Sequence, residues 1–397
     1  MITPFTETSS DAARIPLSVP EFRGNEWRYL KECLDAGWVS SAGPFVERFE
    51  EEIARTVGAK QAVAVVNGTA GLHVALQVVG VKPEDEVLVS DLTFVAPVNA
   101  VRYCQAHPVL IDADPKNWQM DAAKLEQFLS AECEVREEAC FNKRTGRRVR
   151  AILPVHILGL ACEMDRIVGL AWRFHLKVVE DAAEGIGVRY RGKHVGTFGD
   201  VGVFSFNGNK IVTCGGGGML VSDDNQAARY ARYLTTQAKD DDLEYLHNEV
   251  GYNYRLTNIQ AAVGLAQMER LGEFLARKRA IAEAYRSGFI GLDGITPMPA
   301  PESTEPTYWL YTVLLREGTK LTDRQAVIQR LRAQGIGARG LWHPIHSLPP
   351  YRQEQAFEIE QADRLYERAV SLPSSVGLTA LDLDRCIRSL VEALEKG

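Results

Sequence analysis

Lys210 closes the stretch VGVFSFNGNK at 201–210 and is followed, four residues on, by glycines at 215–218. An apolar strand that ends in the short polar residues Ser205, Asn207 and Asn209 delivers one amine to a partly desolvated place. Desolvation disfavours the ammonium, so a lysine held there can attack an aldehyde at neutral pH. The chemistry this suggests is a Schiff base with pyridoxal phosphate, the glycines letting the backbone approach a planar ligand. A single lysine is more often a solvated surface residue. The reading therefore needs partners elsewhere in the chain.

A second strand, 176–181 (LKVVED), closes on Glu180 and Asp181, with Glu184 just beyond. In a parallel α/β sheet, ligands collect at the carboxyl ends of strands. An aspartate beside a pyridine nitrogen holds the proton that makes the ring an electron sink; as ordinary structure, either acid would cap the next helix. A third element joins a strand at 62–66, the turn Asn67-Gly68-Thr69, and a helical pattern at 70–79 with Leu72, Ala75, Leu76 and Val79 on one face. Backbone N–H groups at that helix start, with the Thr69 hydroxyl, make an anion site favoured by the helix dipole. An N-cap alone accounts for the same turn.

Five motifs in order, NGTAGL at 67–72, DLTFVAPVNA at 91–100, EDAAEGIG at 180–187, GTFGDVGVFSFNGNK at 196–210 and GYNYRLTNIQAA at 251–262, resemble those of the DegT/DnrJ/EryC1/StrS sugar aminotransferases. The likeness runs from about Ile15 through nearly the whole chain. The wording at SFNGNK, GYNYRLTN and LWHPIH is most similar to the LegC/PglE-type branch. Enzymes of that branch aminate C4 of UDP-linked 4-keto-6-deoxy-N-acetylhexosamines on the way to bacillosamine or legionaminic acid. The resemblance implies an α/β fold-type I transferase, a mostly parallel mixed sheet with helices on both faces plus a smaller C-terminal α+β domain. It also implies pyridoxal phosphate as cofactor, a UDP-linked 4-ketosugar and L-glutamate as substrates, and a homodimer with shared active sites. A GDP-4-keto or dTDP-3-keto sugar is the alternative substrate.

Carried over by residue, the resemblance makes Lys210 the Schiff-base lysine and acid/base, and pairs Asp181 with the ring nitrogen. Phe94 would stack on the ring, Gly68, Thr69 and Ser205 would hold the phosphate, and Asn253 would reach the phosphate of a neighbouring subunit. Glu184, where many relatives carry glutamine, would meet the ring's phenolic oxygen or the sugar. Asn207 stands where several relatives have histidine. Bland alternatives stand beside these roles: Phe94 in the core, Ser205 in a turn, Asn253 as a helix cap. Ser41, Lys239, Arg339, Trp342 and His343 are the candidates for the sugar nucleotide, the arginine for a diphosphate and the aromatic for a ring. His343 and His346 lie three apart, yet no carboxylate cluster accompanies them, so no metal is expected.

A net charge of −7 argues against a nucleic-acid footprint. No run approaches the roughly 18 apolar residues of a membrane span, and no signal-like start is present, so a soluble cytoplasmic enzyme is expected. The seven cysteines lack CxxC pairs and read as reduced thiols, Cys214 beside the glycines being a packing residue. Length predicts two domains: a mobile arm at 1–14, a large cofactor domain at 15–270 and a small domain at 271–397. The basic segment 142–150 beside acids at 132–138 reads as a solvated loop, and 258–289 as one long helix leading out of the first domain. Two rivals are weighed. A ketosugar dehydratase on this fold would carry histidine in place of Lys210, and a non-catalytic pyridoxal-phosphate-binding regulator would carry an attached DNA-binding segment, which the chain lacks.

Overall fold

The computed structural model describes residues 14–241 and 243–395; the arm expected at 1–14 lies outside them but for Arg14. Helices α1 (Glu26–Ala36) and α2 (Pro44–Val57) each stop at a left-handed glycine, Gly37 and Gly58. Strand and helix then alternate: β1 (Gln61–Val65), α3 (Gly68–Val78), β2 (Glu86–Ser90), α4 (Ala96–Tyr103), β3 (His107–Ile111) and α5 (Ala122–Glu132). The hairpin β4 (Cys133–Arg136) and β5 (Ala139–Asn142) follows, then β6 (Arg148–Leu153), α6 (Met164–Arg173) and β7 (Lys177–Asp181). A small ribbon, β8 (Arg189–Tyr190) and β9 (Lys193–His194), precedes β10 (Val201–Ser205), β11 (Gly218–Ser222), α7 (Asn225–Thr235) and α8 (Asn258–Met268).

The remaining elements are α9 (Leu271–Phe289), β12 (Ile295–Thr296), β13 (Thr304–Glu305), β14 (Thr312–Leu315), α10 (Leu321–Ala333), β15 (Gln355–Phe357), α11 (Gln361–Arg368), β16 (Ala369–Ser371) and α12 (Ala380–Glu395). Ten strands form one sheet in the order β1-β11-β10-β7-β6-β2-β3-β15, with β5 and β4 added beside β6. The run from β10 to β15 is parallel, whereas β11 is antiparallel to both its neighbours. β2 and β11 are buried along their whole length, because helices cover both faces of the sheet. The C-terminal part builds its own sheet, β12-β14-β16, against which α10 and α11 pack, with α12 lying on α9 and α10, while β15 reaches back to the first sheet.

Three local expectations change. The segment from 258 to 289 is two helices, because Arg270 leaves helical geometry (φ −107°, ψ 6°) where its guanidinium joins Glu273 and Glu21. The acid-then-basic stretch is not one open loop: the acids lie on the β4–β5 hairpin, and the basic residues fill an exposed turn and the start of β6. There Asn142 and Thr145 donate to the buried Glu86 carboxylate at 2.8 and 2.7 Å. The segment 360–370, which by sequence reads as one helix, is helical only to Arg368, since Ala369–Ser371 pairs with β14.

Candidate active site

β7 and β10 run parallel with Val203 opposite Asp181. That register puts Asp181 at the carboxyl end of one strand and carries the other past it, through Ser205 and Asn207, to Lys210. α3 begins against the same strand ends. Its N-cap Asn67 accepts from Ala70 N at 2.8 Å, and a Cβ on Gly68 would stand 3.1 Å from Ser205 Cβ, so the helix start and the β10 end close on each other. Between them lies a cavity of about 300 Å³ lined by Gly68, Thr69, Phe94, Asp181, Glu184, Ser205, Asn207, Lys210, Arg339 and Trp342. Phe94 is 54% exposed, so it forms a wall of the cavity and is no core residue.

Asp181 is buried, and one of its oxygens accepts from Ala183 N at 3.0 Å. Burial pushes its carboxyl up to about 6, against the pull of the Ala183 N–H and the Lys210 charge. Glu184 accepts from Leu158 N at 2.7 Å through one oxygen and from Lys210 Nζ at 3.1 Å through the other. Behind them the fully buried Glu180 accepts from the N–H groups of Gly196, Phe198 and Gly199 and from His156 Nε2. His156 Nδ1 in turn accepts from Cys162 N, which leaves the ring proton on the nitrogen facing Glu180. This carboxylate is thereby structural, and Asp181, with unused acceptor capacity, faces the cavity.

Four expected site residues stand outside the cavity lining. Ser41 sits exposed between α1 and α2, and Lys239 lies over the Tyr245 ring on an exposed loop. His343 turns to Tyr366, 2.9 Å from its hydroxyl, and Asn253 is exposed at a bridge to Thr236. The glycine run has a different use from the one expected: a Cβ on Gly218 would lie 2.7 Å from the Asn67 carbonyl carbon, so that glycine lets β11 press against the α3 turn. Cys214 is buried, as packing requires. Sequence reasoning missed Trp309, which lines the cavity with its ring centroid 4.2 Å from Lys210 Nζ and stacks at 6.5 Å on Trp342. The one sign of it was the aromatic density of TYWLY at 307–311.

The donor set fits a phosphate-bearing pyridine aldehyde. One end of the cavity offers the backbone start of α3 and the Ser205 hydroxyl, suited to a phosphate. The other offers Asp181, whose raised value marks a carboxylate that a ring N–H⁺ would stabilise. Lys210 lines the same cavity. Arg339 brings a guanidinium whose value burial lowers and the Glu184 charge raises.

Comparison with known proteins agrees with this geometry. The DegT/DnrJ/EryC1/StrS aminotransferase family matches residues 20–391. The chain is 42% identical to the GDP-perosamine synthase of Caulobacter vibrioides over 97% of its own length and 100% of that protein. It is 40% identical to EpsN of Bacillus subtilis, provisionally named a pyridoxal phosphate-dependent aminotransferase, over 95% of each chain. Its structure is similar to that of DesI determined in the presence of its TDP-sugar product, with a TM-score of 0.85, 28% identity and coverage of 96% and 94% of the two chains.

Proposed function

The chain belongs to the DegT/DnrJ/EryC1/StrS aminotransferase family and uses pyridoxal phosphate, and from that premise we propose that it aminates C4 of a 4-keto-6-deoxyhexose carried on GDP, with L-glutamate as donor. The observation that supports the chemistry most directly is one cavity holding Lys210, the buried Asp181 and the start of α3. The bound cofactor supplies an electron sink that labilises the donor's Cα–H and carries the amino group between the two half-reactions.

The residues divide the work. Lys210 Nζ takes the proton from the donor carbon and later returns one to the sugar carbon. Asp181 holds the proton on the ring nitrogen. The Gly68 and Thr69 amides and the Ser205 hydroxyl hold the phosphate, and Phe94 covers the ring. Arg339 meets an anionic group of the substrate and Trp342 stacks on its sugar or base. Asn207 borders the sugar.

The sugar nucleotide is where the reading departs from the sequence wording, which predicts a UDP-linked N-acetylated sugar of the LegC/PglE branch. GDP is preferred because the relative at 42% identity over its whole length is named for a GDP-linked amino sugar. Offering the enzyme glutamate with matched GDP-, UDP- and dTDP-4-ketosugars tests it, with product mass and the position of the new nitrogen determined. The GDP sugar should lead by about tenfold or more in kcat/KM. Preference for a UDP sugar would restore the branch read from the motifs, and preference for a dTDP-3-keto sugar would overturn the C4 assignment.

The active unit in this reading is a homodimer in which Asn253 serves the partner's phosphate site. The exposed apolar side chains Leu243, Tyr245, Leu246 and Val250 just before Asn253, and Trp27, Leu34 and Trp38 near α1, support an interface of this kind. Among the described residues no helix is long and apolar enough to cross a membrane.

A further inference from the structure

Lys210 Nζ has two close neighbours, Glu184 Oε1 at 3.1 Å and the Trp309 ring, centroid 4.2 Å away. Both are set by one short turn, Ile157–Gly159. Leu158, fully buried, sits in the left-handed region (φ 61°, ψ 12°), which an L residue rarely adopts, and so aims its N–H at Glu184 Oε2. The next residue, Gly159, has φ 79°, and a Cβ there would lie 2.6 Å from Trp309 N and 2.5 Å from Thr307 Oγ1. The turn itself is held by Gln119, which accepts from Ile157 N at 2.9 Å. Trp309 is fixed at two further points: its indole N–H donates to Asn209 O at 2.7 Å, and its carbonyl accepts from the buried Lys278 Nζ at 2.7 Å.

We infer that Glu184 and Trp309 form a seat for the Lys210 ammonium, occupied whenever the lysine is not bonded to cofactor, and that the Ile157–Gly159 turn positions both halves of it. A carboxylate and an aromatic face are the two surfaces that best receive an ammonium in a site largely closed to water. The acid suits this use better than its amide. With glutamate, one oxygen accepts from Leu158 N–H and the other from the lysine; an amide that kept the first bond through its oxygen would turn its own N–H₂ toward the ammonium. Glu184 and Trp309 act as positioning residues, and the inference rests on the reading that Lys210 bears the cofactor.

The test uses the cofactor-free chain. Acetylation of Lys210 by a water-soluble acetyl ester is followed by peptide mass spectrometry, with exposed Lys31 as rate reference and buried Lys278 as reporter of loosening. Glu184→Gln and Trp309→Phe should each raise the Lys210 rate relative to Lys31 by about three- to fivefold, with Lys278 still protected. An unchanged Lys210 rate in the folded Glu184→Gln protein would overturn the seat. If Trp309→Phe also exposes Lys278, Glu184→Gln alone decides. Borohydride reduction of the cofactor-loaded wild type reads the premise separately: a modified residue other than Lys210 would sink the cofactor assignment while the labelling comparison still judged the seat.

Discussion

Asp181 is a buried carboxyl group, and its value of about 6 is the consequence of that burial. Because the folded value is raised above the ordinary one, the neutral form favours folding at low pH and that advantage is lost as pH rises through about 6. Relative to Asp181→Asn, the cofactor-free wild type should lose roughly 2 kcal/mol of stability between about pH 4 and pH 7. Denaturant unfolding at a series of pH values measures this, and parallel curves for the two proteins would show that the carboxyl is solvated. At Lys210 the expectation concerns rate: Lys210→Ala should lower turnover by about 10²- to 10⁴-fold, the range for a lost general acid/base, while the chain stays folded. A borohydride-trappable lysine adduct remaining in that variant would refute the assignment.

At the scale of elements, the carboxyl ends of β2 and β3 fasten the C-terminal segment to the cavity. Asp112 accepts from Lys124 and from the N–H groups of Glu360, Gln361 and Ala362 at the start of α11. Asp91, three residues before Phe94, accepts from His346 Nδ1 at 2.9 Å and from His346 N at 2.8 Å. His346 thus ties the loop bearing Trp342 to the loop bearing Phe94, two walls of one cavity. Hydrogen bonding to Asp91 raises the His346 value, and the Asp91, Asp363 and Asp112 charges add to this against a smaller effect of burial. Its stabilisation is therefore full below about 6.5 and lost as pH rises through the raised folded value. His346→Gln should lower the melting temperature at pH 6 and less so at pH 9, with KM for the sugar nucleotide rising more than kcat falls. Equal destabilisation at both pH values would mean the ring is neutral in the fold.

For the whole molecule, the decisive question is whether one chain suffices. Asn253 is exposed and outside the cavity lining, beside apolar side chains that a lone chain would leave in water. Mixing Lys210→Ala with an Asn253→Ala protein inactive on its own should restore part of the turnover, because one site of the mixed dimer would combine an intact lysine with an intact partner asparagine. No recovery in verified mixed dimers would count against sharing, and a fully active monomer would exclude it.

Local chemistry was legible in the sequence. The apolar run ending in Asp181, the Asn67-Gly68-Thr69 start of α3 and the strand leading to Lys210 are each set by residues adjacent in the chain, through strand burial and helix capping. The motif likeness carried the family with them. Tertiary structure alone decided which distant groups meet there. Trp309 comes to the Asn209 carbonyl from 100 residues away, Glu184 meets Lys210 across two strand ends, and β15 crosses back to pair with β3. No periodicity announces such contacts, because each depends on how a loop is folded over a sheet. The two histidines of LWHPIH illustrate the reason: three residues apart in sequence, they turn to Tyr366 and Asp91, since the 3₁₀ turn between Ile345 and Ser347 points their rings at different parts of the molecule.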